Sequence, residues 1–255
     1  MFALQVMDTV EDKGLQAVAS SCKDLRDFRV YPGSRGEAGQ GVTEEGLMYI
    51  AQGCPELRSI LYFCGQMTNV AVEMMAKSCH KLVCFRLCIM EPSRPDHTTN
   101  APMDEGFGAI VRNCKALRRL SLSGLLTDKA FEYIGMYGKN LERLSVAFAG
   151  ETDVGLQHVL RGCISLKKLE IRDSPFGDMG LLSGLHRYES MRSLWMSNCR
   201  VTVAGCHWLA RQKPRLNVEI IQTNGPDNTM LVESLYVYRS VAGNRNDRPP
   251  FVLAF

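Results

Sequence analysis

The 255-residue chain has no run of about 18 apolar residues, so no segment reads as a membrane-spanning helix. Its first residues (MFALQVMDTVEDKG) lack the basic start and apolar core of a secretory leader. A large excess of one charge is also missing: with 30 basic and 27 acidic residues, the net charge of +3 argues for nucleic acid only if it is locally clustered. No glycine-rich phosphate loop follows a strand pattern. The five histidines (His80, His97, His158, His186 and His207) have no nucleophile or ligand at useful spacing. No catalytic set, and hence no enzyme, is expected.

Cysteine is not scarce, but its placement argues against disulfides. Cys22, Cys54, Cys79, Cys114 and Cys163 each stand three residues before a recurring leucine. A small apolar thiol buried at the same corner of each repeat accounts for them, and implies a reducing, intracellular compartment. Cys84 and Cys88 share a strand face, yet no second Cys/His pair lies at zinc-ligand spacing, so no metal is expected.

What the chain does have is a period. Leu25, Leu57, Leu82, Leu117, Leu141, Leu166, Met191 and Leu216 recur, at intervals of 24, 25, 25 and 25 from Leu117 onward. Each opens an L-x-x-L-x-L-like run such as Leu117–Leu122, Leu141–Val146 or Leu166–Ile171. The pattern predicts an α/β leucine-rich solenoid of about eight repeats, with parallel strands inside and helices outside. Thr127-Asp128 starts a helix by capping its free amides, and Thr43, Thr68, Asp104 and Thr152-Asp153 occupy comparable starts. Two repeats are longer, with Pro/Gly/polar insertions at Pro32–Gly41 and Glu91–Pro102. Both fall after strands, on one rim, where solenoids bind. Phe2–Met7 reads as the strand of a preceding repeat and Glu233–Tyr238 as a last strand before an irregular tail. The expected organisation is therefore an N-terminally truncated array over residues 1–222 and a capping strand and tail over 223–255, part of something longer.

Stacking the strands converts the period into columns, because side chains alternate between core and concave wall. The central column reads Arg29, Leu61, Arg86, Ser121, Ser145, Glu170, Trp195; two residues earlier it reads Asp27, Ser59, Cys84, Arg119, Arg143, Lys168, Ser193. Arg29, Arg86, Arg119, Arg143 and Lys168 thus share one hollow, with Arg118, Lys167 and Arg192 adjoining. Such crowding fits an anion site, arginine forks matching phosphate or carboxylate oxygens. The plainer alternative is a solvated basic face paired with Asp27, Glu142 and Glu170. Beside the patch, Phe63, Leu87, Cys88, Leu122, Ala147 and Trp195 form an apolar wall with Ser121 and Ser145. That suits an acid with a hydrophobic body, its carboxylate held by Arg86 and Ser121.

The segments Tyr62–Asn69, Phe85–Cys88, Gly106–Val111, Leu117–Asp128 (LRRLSLSGLLTD), Leu144–Gly150 (LSVAFAG), Lys168–Asp173, Met191–Ser197 and Ser240–Gly243 carry a resemblance over nearly the whole chain. They resemble the plant auxin-receptor F-box proteins, in their C-terminal leucine-rich-repeat portion. The resemblance implies the substrate-recognition subunit of a cullin-type ubiquitin ligase, acting in the nucleus. In it, auxin glues the Gly-Trp-Pro-Pro degron of Aux/IAA repressors to the concave wall, over inositol hexakisphosphate as a structural cofactor. By resemblance, Arg86 and Ser121 hold the carboxylate, and Phe63, Leu87, Cys88, Leu122, Ser145, Ala147, Glu170 and Arg172 line the auxin or degron site. Arg29, Arg86, Arg119, Lys167, Lys168 and Arg192 match the inositol-phosphate cradle. A Skp-type adaptor and cullin are partners only where an N-terminal F-box precedes this chain; neither nucleic acid nor membrane is implied. The alternative is a leucine-rich-repeat interaction scaffold without hormone or ligase function.

Overall fold

A computed structural model describes residues 3–6, 10–31, 41–223, 234–239 and 252–254. Strand and helix alternate from the first residues. The chain runs β1 (Ala3–Val6), α1 (Asp12–Ser21), β2 (Asp27–Val30), α2 (Glu44–Gly53), β3 (Ser59–Cys64), α3 (Asn69–Ser78) and β4 (Cys84–Ile89). It continues with α4 (Asp104–Asn113), β5 (Arg119–Ser121), α5 (Asp128–Tyr137), β6 (Arg143–Ala147), α6 (Asp153–Gly162) and β7 (Lys168–Arg172). The last elements are α7 (Asp178–Leu182), β8 (Ser193–Ser197), α8 (Val203–Gln212), β9 (Asn217–Thr223), β10 (Ser234–Arg239) and β11 (Val252–Ala254). All strands join one sheet in chain order; β1 to β9 pair in parallel, and β10 turns back antiparallel on β9. This is the predicted α/β leucine-rich solenoid. β11 pairs parallel to β10 within the segment expected to be an irregular tail. The insertion at 32–40 lies outside the described residues, as do Phe2, Met7, Glu233 and the stretch 240–243.

The repeat leucines face a continuous core between sheet and helices. Leu25, Leu57, Leu82, Leu141 and Leu166 are fully buried, and Phe131 meets Phe176 edge-on with ring centroids 5.3 Å apart. The α5 and α6 axes approach closely at Gly135 and Gly162, where a Cβ on either would overlap the neighbouring helix backbone. The seventh repeat departs from the pattern: α7 is a short helix, and a 3-10 turn at Arg187–Glu189 completes its outer layer.

Local chemistry explains the regular helices. Thr43, Thr68, Thr127, Thr152 and Thr202 are N-caps whose hydroxyls accept a first-turn amide. Many of these threonines also donate backward to the aspartate that begins an earlier helix. Thr43 gives its amide and hydroxyl to Asp12 at 2.9 and 2.6 Å, and Thr202 gives the same two groups to Asp178 at 2.8 and 2.6 Å. Thr127 bonds Asp104 and Thr152 bonds Asp128 in the same way. Asp104, predicted as a helix start of the capping kind, is corrected here: the cap is Met103, without a side-chain bond. Asp104 is the first helical residue, where its charge favours the helix dipole and its oxygens hold the next repeat.

At the opposite corner, Cys22, Cys54, Cys79, Cys114 and Cys163 are the C-caps of their helices, and all ten cysteines are free thiols. Cys54, Cys79 and Cys114 each point their sulfur at the corner carbonyl of the repeat before, 3.4 to 3.6 Å away. Burial pushes the Cys79 and Cys114 thiols up to about 12, which keeps them neutral.

Candidate functional site

The predicted columns are the observed registers. Arg29 pairs with Leu61, Leu61 with Arg86, Arg86 with Ser121, Ser121 with Ser145, Ser145 with Glu170, and Glu170 with Trp195. Two residues earlier, Cys84, Arg119, Arg143, Lys168 and Ser193 are likewise in line. Neighbouring strands lie about 4.8 Å apart, so each column is a row of side chains in mutual reach.

The concave wall holds a hollow of about 860 Å³. Phe63, Cys88, Ser121, Ser145, Ala147, Glu170, Arg172 and Trp195 line it, together with Leu87 and Leu122. Leu87 is 0% exposed and Leu122 4%, because the pleat turns both into the core; they close the hollow from beneath. Arg86 stands at the margin of the hollow, in register with Ser121, rather than in its lining. Phe63 also stacks on Tyr31, with centroids 5.7 Å apart, extending the apolar surface toward β2.

The basic patch is divided. Asp27 takes Arg29 with two bonds of 3.1 and 3.2 Å. Glu142 lies between Arg118 (2.6 Å) and Lys167 (3.2 Å), and both pull its carboxyl below the ordinary range, Lys167 the more strongly. Glu170 bonds Lys168 at 2.6 Å and accepts the Ser145 hydroxyl at 2.5 Å. Burial raises the Glu170 carboxyl, but these two bonds more than offset it, so it titrates low. Among the described residues, Arg86, Arg119, Arg143 and Arg192 form no ion pair. The Arg86 Nε is buried with no hydrogen-bond partner. A buried donor without an acceptor costs on the order of 1–3 kcal/mol, and more when charged, unless a ligand supplies the acceptor. Cys88 beside it stays a neutral thiol, since burial raises it more than Arg86 lowers it.

Phe148, absent from the residues predicted for the site, lines the hollow as well. Simple alternation would turn it into the core, because Ala147 before it faces the wall. Its backbone is instead left-handed (φ 54°), which breaks the pleat and leaves the ring 36% exposed, with the Arg172 guanidinium 5.4 Å from its centroid. Asp173 and Asn198, at the same place in the following repeats, share that conformation. Gly124 does too, so the recurrence of Gly124, Asp173 and Asn198, types that tolerate positive φ, was the available signal. Met90, just after β4, and Pro92, from the second insertion, complete one wall.

No family model matches the chain. A transport inhibitor response 1-like protein of Oryza sativa is 52% identical over 259 residues, covering 99% of this chain and 46% of its own length. F-box protein FBX14 of Arabidopsis thaliana is 53% identical over 252 residues, 96% of this chain and 40% of its own. A coronatine-insensitive protein homolog 1a of Oryza sativa is 32% identical over 271 residues, 99% of this chain and 45% of its own. A solved internalin from Listeria monocytogenes superposes with a TM-score of 0.45 at 11% identity, over 82% of this chain and 56% of its own, a likeness too loose to bear on function. The chain spans somewhat less than half the length of the curated relatives it matches.

Proposed function

We propose a function from the premise that the chain is one of the plant transport inhibitor response 1-like F-box leucine-rich-repeat proteins. In this reading it is the ligand- and degron-binding portion of a substrate receptor for a Skp–cullin–F-box ubiquitin ligase. Auxin, a carboxylate on a flat hydrophobic body, occupies the concave hollow and completes the surface that captures an Aux/IAA degron. The work is done in the nucleus, and the chain itself catalyses nothing.

The observation that carries the reading is the buried, unpartnered Nε of Arg86 beside Ser121, at the margin of an apolar hollow. A carboxylate there accepts from the guanidinium, a charge-assisted bond contributing on the order of 1.5–3 kcal/mol. Phe63, Ala147 and Trp195 offer apolar surface to the ring system, and Phe148 at the rim meets the degron. The hollow falls within the roughly 300–1,000 Å³ of small-molecule sites. Inositol hexakisphosphate fits the cations, with Arg86, Arg119 and Arg192 ready to bind and Arg29, Lys167 and Lys168 first having to leave their carboxylates. That prior pairing favours the second reading, a protein-interaction scaffold without hormone.

Capture of a biotinylated degron peptide by this chain, with and without indole-3-acetic acid, separates the two. Auxin-dependent capture that Arg86→Ala abolishes, with the circular dichroism spectrum unchanged, supports the receptor. Near-normal capture by Arg86→Ala refutes the role of Arg86, and capture indifferent to auxin supports the scaffold. Inositol hexakisphosphate raises the melting temperature if it binds only the folded cradle; no shift at saturation argues for the plain basic face.

A further inference from the structure

The insertion after β4 is built as a strap. At its root the Met90 amide donates to Cys64 O at 2.9 Å. The Gly124 and Leu125 amides donate to the carbonyls of Pro92 (2.8 Å) and Arg94 (2.6 Å), and the His97 amide reaches Met67 O at 2.9 Å. The Arg94 guanidinium grips Glu91 at 2.6 and 2.7 Å. The strap thus ties the β3 repeat to the β5 repeat across β4. Ile89 at the end of β4, Met90 after it and Pro92 of the strap form one wall of the hollow.

Asp96 is the knot of this strap and is 1% exposed. One oxygen accepts the first amide of α3, that of Asn69, at 2.5 Å. The other accepts the Thr98 amide, the Thr98 hydroxyl and the Thr99 amide, each at 2.9 Å. The rim pattern does not call for this carboxylate. α1, α4, α5, α6 and α7 begin with Asp, whereas α3 begins with Asn69, whose amide is held by a group reaching in from the insertion. A buried carboxylate with four donors, all on the strap and the helix beneath it, holds one conformation of the intervening backbone.

We propose that Asp96 is a positioning residue for the concave hollow. By pinning the strap to the start of α3 it holds Met90 and Pro92 as a fixed wall, so that the hollow is already shaped before a ligand arrives. The binding consequence rests on the ligand reading above; the pin itself does not.

The test uses Cys88, a partly buried thiol that lines the same hollow. Maleimide modification of the folded chain is followed site by site by mass spectrometry in the parent, Asp96→Asn and Asp96→Ala. Asp96→Asn keeps acceptors for part of the set, so it is the milder change. Cys88 is expected to label about tenfold faster in Asp96→Ala and to an intermediate degree in Asp96→Asn, while Cys79 and Cys114 stay protected. An unchanged Cys88 rate in a folded variant overturns the pin. Equal acceleration at Cys79 and Cys114 overturns it too, because that reports loosening of the whole array. If Asp96→Ala does not fold, the Asp96→Asn rate and amide exchange at Thr98 and Thr99 decide by the same criteria. In the binding arm, affinity for indole-3-acetic acid with degron peptide is expected to fall about tenfold in Asp96→Ala. Unaltered affinity with faster Cys88 labelling reduces Asp96 to a structural role. A parent chain that binds no auxin refutes the receptor reading and leaves the thiol result to judge the pin.

Discussion

The helix-start rim and the concave wall are built by opposite rules. Along the rim, Asp and Thr return in step and bond across repeats: Asp12 to Thr43, Asp104 to Thr127, Asp128 to Thr152, Asp178 to Thr202. Along the wall, the central column passes from Leu61 to Arg86, Ser121, Ser145, Glu170 and Trp195, with almost no repetition. Neighbouring repeats must match where they hold each other, so the rim largely repeats, with α3 the exception that the insertion fills. Solvent and guests meet the wall, so its residues can differ strand by strand. Stability should therefore reside in core and rim, and affinity in the wall.

That division can be broken by substitution. Phe131→Ala removes a fully buried ring from its edge contact with Phe176 and is expected to cost about 3–5 kcal/mol in urea unfolding. A loss under about 1 kcal/mol would mean that neighbouring repeats relax independently. Acid tests the strap. Burial raises the Asp96 carboxyl, but its hydrogen bonds from Asn69, Thr99 and Thr98 outweigh that and bring it from 3.8 to about 2. A group depressed on folding contributes fully above its unfolded value, so about 2 kcal/mol should disappear as pH falls from 3.8 through 2. The protection of the Thr98 and Thr99 amides, as exchange relative to the intrinsic rate at each pH, should fall in that window and stay flat above it.

A rim substitution, Thr152→Ala, loses the cap and the hydroxyl bond to Asp128, while the amide bond remains, and should cost about 1–2 kcal/mol by the same unfolding measurement. The smallest effect belongs to the wall. Arg143 sits directly opposite Arg119, like charges on adjacent strands, so Arg143→Ser should leave stability within about 0.5 kcal/mol or raise it slightly. A large loss would make Arg143 a structural residue and erase the contrast between rim and wall.

Much of this was legible in the residues. The 25-residue return of leucine and the alternation within each run place Arg86 beside Ser121 and Arg119 beside Arg143 without any coordinates. The alternative of a paired basic face describes Arg29, Arg118, Lys167 and Lys168, whose carboxylates are the three named for it; Arg86 and Arg119 form no such pair, and Arg143 acts on Glu170 without direct contact. Phe148 was missed because alternation assumes an unbroken pleat, and its positive φ breaks it. The insertion at 91–102 also does what no rim pattern announces: Pro92 lines the hollow, and the loop's backbone ties neighbouring repeats together.

The sequence alone determined the repeat, the parallel registers, the corner thiols and the membership of each concave column, because a periodic chain repeats one local solution. Only the tertiary structure decided which cations are already neutralised, which way Phe148 turns and what Asp96 holds. Those outcomes depend on distances that a period does not fix: whether a cation reaches a carboxylate on its own or the next strand, a backbone that leaves the pleat, and an inserted loop folding back on a helix it does not adjoin in sequence.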